Sequence, residues 1–319
     1  IAEASPQELF LALANVVKSC YANDWSQTRK NLLVEQQKQA YYFSIEFLPG
    51  KLLKSNLLNL GLLDTAEELF EASCFMDSLA SLGLPGNGNG IRYNYGLFKQ
   101  KFVDGHQVEL PDDWLRAGNV WEVRKESKAV DIQYGGEVYL IEDENGRLRP
   151  ERHGGYVWRA VPYDTGMVGY QNDMINTLRL WSVEVPAAEE ANYATIESRR
   201  SLEDLTAVLY PDDSNERGKK TRLMQEYFFV SAGIQSIVRY YLKLNHPLTM
   251  MSEKIAIHIN DTHPALCVSE LMRLLLDDHD LPWEQAWAIT VKVMSYTNHT
   301  IMAEALEKWP IDLFKEVIP

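Results

Sequence analysis

Residues 255–300 read IAIHINDTHPALCVSELMRLLLDDHDLPWEQAWAITVKVMSYTNHT, and this stretch decides the fold class. The apolar run 255–259 predicts a buried strand, and helices are expected over 265–276 and 282–294. Two clusters rich in Asn, Asp, Thr and His, at 260–264 and 296–300, stand where apolar segments end. Ligands bind at the carboxyl ends of strands in open α/β sheets. We therefore expect this stretch to form one wall of a polar-ligand site.

Before this stretch, strands alternate with helices, which predicts an α/β fold with a mostly parallel sheet. Two helices are expected over 6–40, the second of them capped by Ser26. The aromatic run 41–47 predicts a strand with a carboxylate near its end.

The middle of the chain predicts a β-rich insertion, because short β-type runs dominate residues 91–182. Gly86–Gly90 (GNGNG) is interpreted as a loop, since the spacing of its glycines does not match a dinucleotide-binding motif. A long helix is expected over 218–243 and a last one near 302–308. The long helix carries an apolar stripe at helical spacing, formed by Leu223, Tyr227, Val230, Ile234, Ile237 and Tyr241.

Composition restricts the possible partners. The chain has 319 residues, 46% of them hydrophobic, and a net charge of −14, which argues against binding to nucleic acid or to an anionic membrane. The nearest approach to a basic patch is Arg217, Lys219, Lys220 and Arg222, interpreted as a solvated loop and helix start. No apolar run is long enough to span a membrane.

The cysteines and the two ends of the sequence point to a cytoplasmic piece of a longer protein. The three cysteines lack CxxC spacing, so neither a disulfide framework nor a zinc site is expected, and we predict a reducing, cytoplasmic location. The chain starts at Ile1 and stops at Pro319 directly after a helical pattern, and both ends look cut.

His263 and His299 are the strongest candidates for chemistry, because each lies among hydroxyl and amide side chains. A neutral imidazole offers one donor and one acceptor, which suits a sugar hydroxyl. Asp261 is placed to hold one of the rings. A core or capping role stays open for either histidine, and Asp261 or Thr262 as a helix cap before Pro264 is the alternative for this cluster.

Glu46 and Glu304 are further candidates for accepting sugar hydroxyls or orienting a neighbour, with solvated or capping carboxylates as the alternative. The sequence has no GxSxG nucleophile elbow, no Walker motif and no HxH or HExxH pair. Composition and spacing thus lead only to an α/β protein with a site for a polar, neutral ligand.

Longer motifs add a family resemblance. YYFSIEF (41–47), DDWLRAGNVWE (112–122), VPYDTGMVGYQNDMINTLRLWS (161–182), INDTHPAL (259–266) and YTNHTIMAEALEKWP (296–310) stand in one order along the chain. In this order they resemble the α-glucan phosphorylases, that is, glycogen, maltodextrin and starch phosphorylase. The match extends through nearly the whole chain.

The resemblance implies a GT-B-type fold of two Rossmann-like domains around a cleft. Residues 1–319 would be the N-terminal, glucan-side domain with a β-rich insertion, and the C-terminal cofactor-binding domain would lie outside this chain. The implied reaction is phosphorolysis of an α-1,4-glucan or maltooligosaccharide by inorganic phosphate, giving glucose 1-phosphate. Pyridoxal 5'-phosphate is the implied cofactor, and a homodimer is the implied assembly.

The same resemblance assigns residues. His299 would bind the primary hydroxyl of glucose, with Asp261 supporting it and His263 nearby. Glu46 would lie beside the substrate and cofactor phosphates, and Leu48 near the cofactor ring.

Further substrate contacts are expected from Asp213 and Ser214, on the implied gate loop, and from Thr300 and Glu304. Ser214 replaces an asparagine that is usual in the family, which puts this gate contact in doubt.

Two features depart from the family pattern. Its glycine-rich phosphate loop is absent, and a missing segment is expected between Glu71 and Ala72. The cofactor lysine belongs to the domain outside this chain, so we expect the fragment alone to be inactive. Two alternatives stay open: the N-terminal domain of a nucleotide-sugar glycosyltransferase, and a non-catalytic glucan-binding or assembly module.

Overall fold

The computed structural model describes residues 4–47, 52–62, 71–144, 146, 148–186, 195–299, 301 and 306–319. The helices of the described part are α1 (Pro6–Glu35), α2 (Leu52–Asn59), α3 (Glu71–Ser81), α4 (Ile196–Leu205), α5 (Glu216–Leu242), α6 (Met251–Lys254), α7 (Cys267–Arg273), α8 (Trp283–Val293) and α9 (Ile311–Val317). The strands are β1 (Gln39–Phe43), β2 (Gly86–Ile91), β3 (Lys99–Val103), β4 (His106–Leu110), β5 (Glu122–Arg124), β6 (Val130–Tyr134), β7 (Glu137–Glu142), β8 (Leu148–His153), β9 (Tyr156–Val168), β10 (Ile175–Glu184), β11 (Ile255–Asn260) and β12 (Met294–Thr297).

A mainly parallel sheet lies at the centre of the molecule. Its strand order is β12-β11-β1-β2-β10-β9-β5, with β6 also paired to β9. The first five strands run parallel, whereas β9 runs antiparallel to β10, β5 and β6. The predicted α/β class with a mostly parallel sheet is confirmed. The predicted β-rich middle supplies the antiparallel side of the sheet and two separate hairpins, β3–β4 and β7–β8.

Helix α5 packs against this sheet along the stripe predicted from the sequence, and all six predicted residues are buried. At Gly233 an added Cβ would lie 2.4 Å from the ring of Phe43 on β1, so the helix approaches the strand too closely for any side chain at that position. This contact fixes the height of α5 above the centre of the sheet.

Residues 6–35 form one helix, so the prediction of two helices separated by Ser26 is wrong. Ser5 and Glu8 form a capping box at the start, with Pro6 in the first turn. A single buried stripe then continues through Ala14, Val17, Tyr21, Trp25 and Thr28. Because this stripe has no break, the exposed Ser26 remains in the helix interior.

Gly86–Gly90 belongs to strand β2, so its interpretation as a loop is also wrong. A Cβ at Gly88 would lie 2.7 Å from Leu178 and 3.0 Å from Phe47, and one at Gly90 would lie 2.7 Å from Phe47. The glycines make room for these neighbouring side chains. The side chains that need this space belong to other segments of the chain, so no local sequence pattern indicates the requirement.

The end of the chain differs from expectation as well. Residues 306–310 are not helical, and the last helix is α9, which begins after Pro310. The rest of the expected helix, 302–305, lies outside the described residues. No helix in the described part of the chain is long and apolar enough to cross a membrane.

Candidate active site

The ends of β1 and β11 are joined by Ser44, which follows directly after β1. Its Oγ accepts hydrogen bonds from Asn260 Nδ2 and from the Glu46 backbone N–H, both at 3.1 Å. Its own N–H donates to the Asn89 carbonyl on β2 at 3.1 Å. Ser44 and Asn260 are both buried. Glu46 is therefore held at the carboxyl edge of the sheet, as the sequence predicted for the end of a strand.

Asp261 and His299 are brought together at the ends of β11 and β12. The Asp261 N–H donates to the Thr297 carbonyl at 2.8 Å, which continues the ladder between the two strands. His299 Nε2 then lies 3.5 Å from Asp261 Oδ2, with the imidazole 30% exposed and the carboxylate 7% exposed. A buried carboxylate behind a partly exposed ring is the arrangement that the sequence suggested for this pair.

Asp261 has a φ of +66°, in the left-handed region that few residues other than glycine occupy. Aspartate tolerates this region because its short polar side chain bonds locally, and Oδ1 here accepts the Thr262 N–H at 2.8 Å. The turn aims the second oxygen, Oδ2, at His299. One residue thus terminates β11 and orients the ring on the neighbouring strand.

His263 lies partly buried two residues further on. The pKa of His263 is lowered, mainly because the ring is buried, and the nearby Arg222 lowers it further. The carboxyl groups of Glu307 and Asp261 act to raise the pKa but do not outweigh burial. The net effect keeps the ring neutral near pH 7. Its centroid is 6.1 Å from that of Tyr210. His263 therefore joins the carboxyl edge to the segment that leads into α5.

The predicted gate residues Asp213 and Ser214 are exposed in loop 211–215. The Ser214 N–H donates to Asp212 Oδ1 at 3.0 Å, and Asn215 caps α5 by accepting the Gly218 N–H at 2.9 Å. Gly218 is essential here, because an added Cβ would lie 1.7 Å from the Asp212 carbonyl oxygen. The loop is thereby packed onto the first turn of α5.

Arg222 is buried, so its interpretation as part of a solvated basic patch is wrong, whereas Arg217 is exposed and Lys219 and Lys220 are partly exposed. Its Nε lies 2.5 Å from Glu307 Oε1 and 3.9 Å from Glu226 Oε1. Its guanidinium also lies 4.8 Å from the centre of the Tyr210 ring. Sequence reasoning missed this cluster. The i, i+4 spacing of Arg222 and Glu226 beside an apolar stripe was the available signal.

Several predicted positions receive no structural account. Leu48, Thr300 and Glu304 lie outside the described residues. Glu71 is the first residue of α3 and Ala72 follows it in the same helix, so the expected missing segment remains a prediction. Within the described ranges, no group of three or more His, Cys, Asp or Glu side chains could hold a metal ion.

Comparison with known proteins identifies the family of this chain. The family model described as carbohydrate phosphorylase matches residues 70–319. The chain belongs to this phosphorylase family. It is 46% identical over 343 residues to the glycogen phosphorylase of Bacillus subtilis (strain 168), covering 99% of this chain and 43% of that protein. It is 38% identical over 357 residues to the brain form of human glycogen phosphorylase, covering 99% of this chain and 42% of that protein.

The resemblance to α-glucan phosphorylases is thus confirmed, and neither of the two alternatives is favoured. The chain spans about two-fifths of the length of these relatives. Its alignment with the bacterial phosphorylase extends over 343 positions, although the chain has only 319 residues, so the relative carries residues for which this chain has no counterpart.

Proposed function

We propose that this chain is the N-terminal, sugar-binding part of a glycogen or maltodextrin phosphorylase with the two-domain GT-B plan. The reaction of the intact protein would be phosphorolysis of an α-1,4-glucan to glucose 1-phosphate. The observation that carries the proposal is the pairing of Asp261 with His299 at the carboxyl edge of the sheet, in a chain of the phosphorylase family.

The chemistry of this edge suits a neutral, hydroxyl-rich ligand. His299 directs Nε2 toward Asp261 Oδ2 at 3.5 Å, and an imidazole ring has a second nitrogen that can exchange a hydrogen bond with a hydroxyl group. Glu46 adds a carboxylate at the end of β1, and His263 adds a neutral ring. Side chains that both donate and accept discriminate well, because an analogue lacking the hydroxyl leaves a buried polar group unpaired.

Pyridoxal 5'-phosphate is proposed as the cofactor of the intact protein, where its phosphate would supply acid–base chemistry to the attacking phosphate. The cations beside the candidate site do not by themselves fit a phosphate group. Arg222 is paired with Glu307, and Arg92, which follows β2, is paired with Glu122 at 2.5 Å. The lysine that binds the cofactor would come from the C-terminal domain of the intact protein.

Calorimetry with a maltooligosaccharide tests the sugar-binding role. We expect His299→Ala to weaken binding about fivefold to 150-fold, as for one lost hydrogen-bond partner at about 1–3 kcal/mol. Asp261→Asn keeps the left-handed turn but removes the charge behind the ring, and should weaken binding less. The control is His106→Ala, on the exposed strand β4. Equal affinity of wild type and His299→Ala would remove His299 from the site.

The fragment alone is proposed to be inactive, because it contributes sugar contacts but no cofactor lysine. Phosphate-dependent release of glucose 1-phosphate by this polypeptide, measured with a coupled enzyme assay, would contradict that statement. Activity restored by adding the C-terminal part of a phosphorylase would support it.

A cytoplasmic homodimer is proposed as the working form. Its support is the row of exposed apolar side chains on α1, where Leu9 is 44%, Leu13 46% and Val16 60% exposed. Such a row at helical spacing is typical of a covered surface. Light scattering that gave a monomer mass at high protein concentration would refute the dimer.

A further inference from the structure

A buried pair of carboxyl groups, Glu226 on α5 and Glu307 before α9, lies beside the candidate site and has no part in the proposed sugar contacts. Glu226 is 2% exposed and Glu307 14% exposed at the side chain. Among the described residues, no N–H or O–H group donates to Glu226 Oε1 or to Glu307 Oε2. Two buried acceptors therefore lack donors in the same place, which native structures rarely tolerate.

Both carboxyl groups lie beside one guanidinium group, because Arg222 Nε is 2.5 Å from Glu307 Oε1 and 3.9 Å from Glu226 Oε1. One cation thus faces two buried carboxyl groups, and two carboxylate anions that share a site repel each other, which favours a proton on one of them. We propose that Glu226 and Glu307 share a single proton and, together with Arg222, form a positioning unit that holds His263 and loop 211–215 in place at the sugar site.

Geometry assigns the proton to Glu226. Arg222 Nε is 2.5 Å from Glu307 Oε1 but 3.9 Å from Glu226 Oε1, so the guanidinium stabilises the anion on Glu307. Glu226 is also the more deeply buried of the two. The pKa shifts agree. Burial and then contact with Glu307 raise the pKa of Glu226. The pKa of Glu307 is lowered. Burial alone would raise this pKa, but the interaction with Glu226 and the charge of Arg222 outweigh burial.

The unit connects four parts of the chain. Arg222 comes from α5 and stacks over Tyr210, which leads into loop 211–215. Glu307 comes from the segment before α9, and its charge acts on His263 after β11. With one proton on Glu226, the charges of Arg222 and Glu307 cancel, so this unit adds no net charge to the carboxylates of Asp261 and Glu46 at the site. A neutral His263 ring beside a unit without net charge fits an uncharged hydroxyl ligand.

The charged and titratable groups that face this pair come from every packed element. Arg222 lies on the same helix as Glu226, Trp309 faces Glu226 from the segment before α9, and Tyr93 faces both Arg222 and Glu226 from the end of β2. His263 faces Glu307, and its own other neighbours, Asp261 and His299, belong to the carboxyl edge.

A second buried glutamate supplies a matched control. Glu270 on α7 is 3% exposed, like Glu226. Its oxygens accept from Ser231 Oγ at 2.7 Å and from Arg273 Nε and Nη2 at 2.8 and 3.0 Å. Hydrogen-bond donors thus reach both oxygens of Glu270. The two glutamates are buried to a similar extent but differ in their supply of donors.

Infrared spectroscopy of the ligand-free chain with isotope-labelled glutamate tests the proton directly. At pH 7 we expect a band from a protonated, buried carboxyl group that disappears in Glu226→Gln and persists in Glu270→Gln. The amide of Glu226→Gln replaces the shared proton with an N–H donor, so the fold should be retained. If that variant does not fold, Glu307→Gln serves the same purpose. Absence of the band in wild type, or its survival in the variant that folds, would overturn the proposal.

The connection to sugar binding rests on the proposed function, and calorimetry tests it separately. We expect maltooligosaccharide affinity in wild type to fall at least fivefold as rising pH removes the shared proton, because the site then gains a negative charge. Glu226→Gln should bind within twofold of wild type at pH 7 and show no such alkaline fall. Identical pH profiles would refute the positioning role even with the infrared band present. If no sugar binds at any pH, the proposed function fails, while the infrared result still decides the shared proton.

Discussion

Replacing Gly218 with alanine tests how loop 211–215 is held at the site. The added Cβ would lie 1.7 Å from the Asp212 carbonyl oxygen, and real Cβ contacts are essentially never shorter than 3.0 Å. The loop and the helix must therefore separate by at least about 1.3 Å, since the obstacle is backbone. That movement also disturbs the cap bond from the Gly218 N–H to Asn215 Oδ1 at 2.9 Å.

Three free-energy contributions determine the stability of the Gly218→Ala variant, and they do not all have the same sign. Alanine favours a helix interior over glycine by about 1 kcal/mol. Forcing extra volume into a packed contact costs about 1–3 kcal/mol, and weakening an N-cap costs about 1 kcal/mol more. We therefore expect Gly218→Ala to lower the free energy of unfolding by about 1–3 kcal/mol and to accelerate amide hydrogen exchange in residues 212–216.

Urea unfolding and hydrogen exchange measured by mass spectrometry provide the assay. Lys219→Ala is the matched control, because it places alanine in the same turn on an exposed side chain whose ion pair with Glu216 is worth little. The steric reasoning is refuted if Gly218→Ala is as stable as wild type and the loop exchanges at an unchanged rate.

Three further perturbations follow from the structure. Ser44→Ala leaves the buried Asn260 amide without its acceptor and should cost about 1–3 kcal/mol in urea unfolding. Asp164→Asn removes the charge that binds Arg179 through both oxygens at 2.7 and 2.8 Å in the interior, and should cost about 3–5 kcal/mol, measured in the same way. His263 has a lowered pKa, so the folded state binds fewer protons than the unfolded state. Stability should therefore fall by at most about 1.4 kcal/mol per unit as pH drops through 6.5, and this slope should be smaller in His263→Gln.

Matched substitutions separate these effects from general sensitivity. Asp131→Asn breaks an exposed ion pair with Arg159 and should cost at most about 1 kcal/mol. Ser19→Ala removes a hydroxyl from the exposed side of α1 and should have little effect. If the buried and the exposed aspartate variants lost equal stability, burial would not be the deciding factor. A pH slope in His263→Gln equal to that of wild type would assign the acid sensitivity to other groups.

The spacing of apolar residues was sufficient to predict the features that depend on residues close in the sequence. The stripe on α5 and the buried strand β11 follow from apolar spacing, and Asp261 and His299 were expected at strand ends before any geometry was known. These features can be predicted locally, because a short stretch of consecutive residues determines both the apolar spacing and the end of a strand.

Contacts between distant segments could not be predicted in this way. The glycines of β2 resemble a loop until Phe47 and Leu178 are known to need their space. Arg222 has the sequence context of a solvated cation, but in the structure it donates a hydrogen bond to Glu307, which is 85 residues away in the sequence. Both errors have one cause. Burial of a polar or very small residue is decided by its spatial partners, and these have no fixed spacing in the sequence.

The glycine strand β2 has a consequence for how the protein can change over evolutionary time. A side chain at Gly88 or at Gly90 would collide with the ring of Phe47, and one at Gly88 would also collide with Leu178. A methyl group at Gly88 therefore requires both of those larger side chains to shift or to become smaller. Such substitutions are epistatic and must occur in a fixed order. Gly88→Ala should be deleterious alone and milder in a Phe47→Leu background, so drift along this strand is slow even though its residues take no part in chemistry.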